Sequence, residues 1–157
     1  MTTAAIVSLV VRYGLVVLFL PFSALDKIVG FEGAVKQAQQ VFKPRPVAIA
    51  VLMCGLAVEV IMSLGVVTGI GDRMAALVLA AYCAATAVLY KRFWAPGDFW
   101  AGGDSKARNL FWDFLKNLSL GAGFLLIVVG TNGSGLWPFL SHPLASSHPY
   151  ASSPEHP

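Results

Sequence analysis

Apolar residues along this chain gather into four long runs, each bounded by charges, prolines or glycines. The first extends from about Ile6 to Ile28 and carries a single charge, Arg12, before Asp26 and Lys27. The second, Val47 to Ile70, is interrupted only by Glu59 and follows the rigid basic stretch Lys43-Pro44-Arg45-Pro46. The third, Met74 to Tyr90, is an uncharged run of 17 residues closed by Lys91-Arg92. The fourth begins near Asn109 and reaches about Thr131. Runs of about 20 apolar residues match the thickness of a hydrocarbon layer. The pattern therefore predicts an all-α integral membrane bundle of four transmembrane helices, with spans at about 6–28, 47–70, 74–90 and 109–131.

The stretches between the runs add detail. Pro21 cannot donate to the carbonyl of Val17, so the first helix should bend there. Met1 to Leu9 has no basic residue and the run behind it is longer than a signal-peptide core, so the expectation is a retained first span. Phe31, Ala34, Ala38 and Val41/Phe42 recur at helical spacing among Lys36, Gln37, Gln39, Gln40 and Lys43. That reads as a short amphipathic helix lying in the membrane interface. Gly69-Ile70-Gly71-Asp72-Arg73 is a tight turn that makes the second and third spans antiparallel neighbours. Residues 132–157 change character, with Gly133-Ser134-Gly135 followed by prolines, serines and histidines. This tail cannot bury a core of its own and is expected to be extended, with Trp137 and Phe139 resting at the interface.

Composition agrees with a bilayer. Of 157 residues 57% are hydrophobic and 12% charged, with a mean hydropathy of +0.71. So few charges cannot cover a water-soluble core of this size. The net charge of +3 speaks to topology rather than to nucleic acid. Nine of the eleven lysines and arginines fall in the first and third connections or beside them, and only Arg12 and Arg73 lie on the other side. The positive-inside rule then places those connections in the cytoplasm and both termini in the periplasm. Cys54 and Cys83 sit in apolar runs without a C-x-x-C pair, which gives no support to a disulfide framework.

Ionisable groups within a span need a partner, a wet cavity or a function. Arg12 lies about 9 Å and Glu59 about 12–16 Å below the same membrane face at 1.5 Å per residue. The sequence thus suggests a buried polar pair, Arg12 with Glu59, across the first two helices. Three readings stand side by side: a packing salt bridge, an arginine snorkelling outward above a protonated Glu59, or a functional carboxylate that exchanges a proton or bonds a head group. The face of Glu59 includes Leu52, Gly55, Met62, Ser63 and Val66. That of Arg12 includes Val16, Phe19, Ser23 and Gly30. At the cytoplasmic end a second polar cluster gathers Asp26, Lys27, Asp113, Lys116 and Asn117, and Asn117 is placed for interhelical hydrogen bonding. Phe93, Trp94, Phe99, Trp100, Phe111, Trp112 and Phe114 read as an interfacial belt.

Other chemistries find no support. The three histidines, His142, His148 and His156, all lie in the tail, so no span offers a haem ligand. Their spacing matches no structural metal site, and neither a Walker A motif nor a G-x-G-x-x-G stretch occurs. No metal is expected.

Several of these residues together resemble the DoxX/DoxD-type membrane proteins: Arg12-Tyr13-Gly14 opening a helix that runs through Phe19-Leu20-Pro21 to Lys27, Glu59 before a glycine-rich end and Asp72-Arg73, Phe93-Trp94 after the third span, and Phe114-Leu115-Lys116-Asn117-Leu118 with Gly121 and Gly123. The resemblance covers about residues 8–130. It implies a four-helix bacterial inner-membrane protein, some of whose relatives are membrane subunits linked to quinone-dependent oxidation or oxidative-stress complexes. The expectation is a small inner-membrane subunit associated with a quinone-linked oxidoreductase, anchoring a partner subunit and holding a quinone or lipid. The alternative is a purely structural accessory subunit of a larger membrane complex. With no intrinsic cofactor, catalysis by the chain alone is not expected.

Overall fold

The computed structural model describes residues 3–130 and 136–151. Gly133-Ser134-Gly135, Pro154 and His156 of the tail lie outside the described residues. The elements are α1 (Thr3–Val16), a π-helical segment (Leu18–Ser23), α2 (Ala24–Val29), α3 (Phe31–Gln39), α4 (Arg45–Thr68), α5 (Asp72–Tyr90), α6 (Lys106–Val129) and α7 (Trp137–Ser141). Among the described residues, four helical stretches are long and apolar enough to cross a membrane: Thr3–Val29, Arg45–Thr68, Asp72–Tyr90 and Lys106–Val129. The first is broken where Pro21 predicts, because Leu20 leaves helical geometry at φ −125°, ψ 109° ahead of a cis Leu20–Pro21 bond.

Local chemistry explains the helix ends. Pro46 sits in the first turn of α4, where its missing N–H would find no partner in any case. Gly69 closes α4 at φ +81°, a left-handed conformation that residues with a Cβ avoid. Gly71 follows at φ +56°. The two glycines turn the chain into α5 within three residues, 69–71. Before α6, the Asp98 carboxylate accepts the N–H groups of Lys106 (2.8 Å) and Ala107 (3.0 Å), while the Ser105 hydroxyl caps Arg108 N–H at 3.2 Å. These are donors a helix start leaves unpaired.

α5 packs on both α4 and α6, and α1 lies against α4 and α6. Small residues permit the close approaches: a Cβ on Gly65 would stand 3.0 Å from Ala75 Cβ, and one on Gly123 would stand 2.7 Å from Leu15 Cδ2. The main core joins Val16, Phe19, Val66, Leu79, Cys83 and Phe124. A second, smaller cluster forms where Val35 and Ala38 of α3 meet Ala48 and Leu52 of α4. The predicted amphipathic helix is present, with Val35 added to its apolar face, and that face docks on α4. The aromatic belt is a packed cluster centred on Phe93, whose ring lies 5.1 Å from those of Trp94 and Phe111 and 5.4 Å from that of Phe114.

The tail departs most from expectation. Its described part, residues 136–151, forms the short helix α7 and folds back over the α4–α5 turn. Trp137 stays exposed, but Phe139 is only 8% exposed and belongs to the main core. A segment too polar to make a core has borrowed the one the bundle offers.

Candidate functional site

Among the described residues two buried ion pairs organise the bundle, and neither is the one the sequence suggests. Arg12 and Glu59 are both buried, at 7% and 1% exposure, yet they do not pair. Arg12 Nη2 lies 2.7 Å from Asp72 Oδ2, and Lys27 Nζ lies 2.5 Å from Glu59 Oε1. The correction has a simple cause. Side chains on a helix lean toward its N-terminus, so both cations of the first span lean toward the end where α1 begins. Arg12 therefore points away from Glu59, toward the α4–α5 turn, and Lys27 points from the basic end down into the span. The 2.6 Å bond from Lys27 Nζ to Ser23 Oγ, one turn back, records that direction.

At the α4–α5 turn the Arg12–Asp72 pair is hydrogen-bonded on both sides. Arg12 Nη1 donates to the Val66 carbonyl at 2.9 Å. Ser147 of the tail donates to Asp72 through its backbone N–H (3.0 Å) and its hydroxyl (2.5 Å), and it accepts from Arg12 Nη2 at 3.2 Å. Asp72 is wholly buried. Ser146 bonds the Gly69 carbonyl and the Tyr150 hydroxyl donates to that of Val67. Burial pushes the Tyr150 hydroxyl above its ordinary value, with Asp72 adding to the rise and Arg12 opposing it. Pro149 lies where a Cβ on Gly69 would meet it at 3.0 Å.

The Glu59 pair is different. Its Oε1 accepts from Lys27, from the Tyr82 hydroxyl at 2.8 Å and from Ser23 Oγ at 3.2 Å. Its Oε2 is buried without a hydrogen-bond partner among the described residues. The group forms part of the wall of a cavity of about 770 Å³ between α2, α3, α4 and α5. Leu18, Phe19, Leu52 and Val58 supply apolar wall, and Asp26, Gln37, Lys91 and Asn117 supply polar groups toward the basic end. This size and mixture suit a small amphiphilic molecule, since ligand pockets run to about 300–1,000 Å³ with few polar groups in an apolar lining.

The second predicted cluster divides. Asp26, Lys27 and Asn117 line the cavity. Asp113 turns away from them to pair with Lys91 at 3.0 Å and Lys116 at 3.5 Å. Asp113 and Lys116 share one helix at i, i+3, which made that contact available without Asp26 or Lys27.

Two residues of these networks were not among the sequence candidates. Asp72 was placed only in the tight turn and in the family resemblance, because nothing local shows that the tail will cover it. Tyr82 was hidden in an uncharged run, although a signal existed: Tyr82, Thr86 and Tyr90 recur at i, i+4 and i+8, and all three line the cavity.

The DoxX family pattern matches residues 7–92, a stretch that holds Arg12, Lys27, Glu59, Asp72 and Tyr82. It ends before the Phe114–Leu118 stretch on which part of the resemblance rested. The chain is 28% identical over 126 residues to the inner membrane protein YphA of Escherichia coli (strain K12), covering 80% of this chain and 84% of that relative. No solved structure matches. With more than half of its length matched, and with four helices able to span a bilayer, the chain belongs to the DoxX family of membrane proteins.

Proposed function

We propose that this protein is a small multi-pass inner-membrane subunit that works beside a quinone-linked oxidoreductase, anchoring a partner and holding a quinone or a lipid in the cavity at Glu59. The observation that carries the reading is the cavity itself, about 770 Å³ bounded by apolar side chains with a buried carboxylate in its wall. The donor set fits such a head group: the amides of Gln37 and Asn117 and the ammonium of Lys91 line the polar end and are of the type that a carbonyl oxygen accepts from. The exposed rim residues Cys54, Ala85 and Leu89 give lateral access from the hydrocarbon. The inner-membrane setting is supported by the name of the E. coli relative, an inner membrane protein. A periplasmic placement of both termini is supported by the nine-to-two distribution of basic residues.

The test is native purification in mild detergent followed by solvent extraction and mass spectrometry of both lipids and protein partners. The expected result is a quinone or a defined lipid recovered at about one per chain, together with an oxidoreductase subunit. Loss of that ligand in Ala85→Trp, which fills the rim, assigns it to the cavity. A chain that purifies with neither ligand nor redox partner overturns the reading.

A further inference from the structure

Resting on the reading of the cavity as a ligand site, we infer the class of its occupant: a glycerophospholipid whose head group carries both a phosphate and a primary ammonium. The cavity has the depth of one bilayer leaflet. On α5 its wall descends from Lys91 through Thr86 to Tyr82, a drop of about 14 Å at 1.5 Å per residue. Half of a hydrocarbon core is about 15 Å. Its polarity is graded along that depth. Gln37 of the amphipathic α3 and Lys91, which caps α5, stand at the basic end, whereas Leu18, Phe19 and Val58 line the deeper part. Exposed Cys54, Ala85 and Leu89 form the rim toward hydrocarbon. A head group at the interface, with acyl chains running inward and out over that rim, meets each zone with matching polarity.

The charges select the head. Two carboxylates, Asp26 and Glu59, and two ammoniums, Lys27 and Lys91, line the cavity and balance one another. Glu59 is sequestered and held by Lys27, so the carboxylate offered to a ligand is that of Asp26, which is exposed and forms no salt bridge among the described residues. Lys27 and Lys91 are both partly exposed beside their partners. An ammonium has three donors. Lys27 directs two of them at Ser23 and Glu59, and Lys91 directs one at Asp113, which leaves both able to donate to a phosphate as well. A purely anionic head would suit the lysines but stand against Asp26, and a purely cationic one would do the reverse. A zwitterion meets both signs without adding net charge. Its primary ammonium gives Asp26 a charge-assisted hydrogen bond, which a quaternary choline, having no N–H, cannot form.

The delipidated full chain in mild detergent is incubated with equimolar palmitoyl-oleoyl phosphatidylethanolamine, phosphatidylcholine and phosphatidylglycerol, and bound lipid is read by native mass spectrometry. Decylubiquinone is offered separately. The expected result is about one phosphatidylethanolamine per chain, retained about three- to fivefold over phosphatidylcholine, the scale of one partly exposed charge pair, and retained above phosphatidylglycerol as well. Asp26→Asn should bring phosphatidylethanolamine down to the level of phosphatidylcholine. Lys91→Gln should weaken both and leave their ratio in place, and Ala85→Trp should remove all three lipids. If a variant does not fold, the ranking of lipids on the native chain still decides. Equal retention of the three overturns the selected head group while leaving the cavity a lipid site. Tightest binding of phosphatidylglycerol overturns the zwitterion, and a preference that survives Asp26→Asn overturns the seat of the ammonium. Displacement of the lipid by an equal concentration of soluble O-phosphoethanolamine overturns the part assigned to the acyl chains. Binding of decylubiquinone with no lipid overturns the inference and leaves the quinone form of the proposed function standing. Failure of all four probes to bind removes both.

Discussion

The two buried ion pairs invite comparison because they share a fold and differ in completeness. Arg12–Asp72 is closed: the guanidinium also bonds Val66, and the carboxylate takes two bonds from Ser147. Lys27–Glu59 is open: one carboxylate oxygen accepts three bonds, the other has no partner among the described residues, and both residues border a cavity of about 770 Å³. Buried charge by itself does not mark function, since a pair can serve only to hold helices in register. What separates the two sites is the unspent hydrogen-bonding capacity of Glu59, a difference no count of charges would reveal.

Substitutions can break or sharpen that contrast. The largest effect is expected for Asp72→Ala, which strands a guanidinium that is 8% exposed. A loss of about 3–5 kcal/mol is typical when one member of a buried pair is removed, and thermal unfolding in detergent would measure it. An effect under about 1 kcal/mol would mean that Arg12 has a ready escape to water, and that the closed site is less closed than its geometry. Glu59→Gln should cost less, about 1–3 kcal/mol, because Lys27 is 23% exposed and can swing toward the basic end. If that variant is the more destabilised of the two, the open pair is the structural one and the comparison reverses.

The smallest effect lies outside both sites and serves as a control on the helix start. Slight burial acts to raise the Asp98 carboxyl, but hydrogen bonds from the N–H groups of Ala107 and Lys106 outweigh it and hold the group below its ordinary value of 3.8. A carboxyl lowered in the folded state contributes stability that is present above the unfolded value and disappears as pH falls through the folded one. Stability measured between pH 6 and pH 3 should therefore decline less in Asp98→Asn than in the native chain, with a smaller change in midpoint than either pair produces.

Reading the chain alone went far with the helices and less far with the site. The four spans were legible because length and hydropathy report directly on a bilayer, and the observed ends lie within about three residues of the expected ones. The bend at Pro21 and the stop at Gly69 were legible because both follow from single-residue backbone chemistry. Arg12 and Glu59 were correctly picked out as buried, since the spans that hold them leave few alternatives. Their pairing was not correctly read: distance from the membrane face ignores the direction in which a helical side chain leans. The tail was read as extended, with Phe139 at the interface, because its own composition supports no core, whereas Phe139 joins the main core and Ser147 bonds Asp72, 75 residues away in the chain.

Sequence by itself determined which segments enter the membrane, where they turn and which charges they carry inside, because these depend on local hydrophobicity and backbone constraints. Tertiary structure alone decided which cation meets which anion, that Asp72 is covered by the tail, and that Tyr82, Ser23 and Lys27 share one oxygen of Glu59. Those outcomes depend on helix rotation, kink geometry and side-chain direction, which are set by the packing of distant segments against one another.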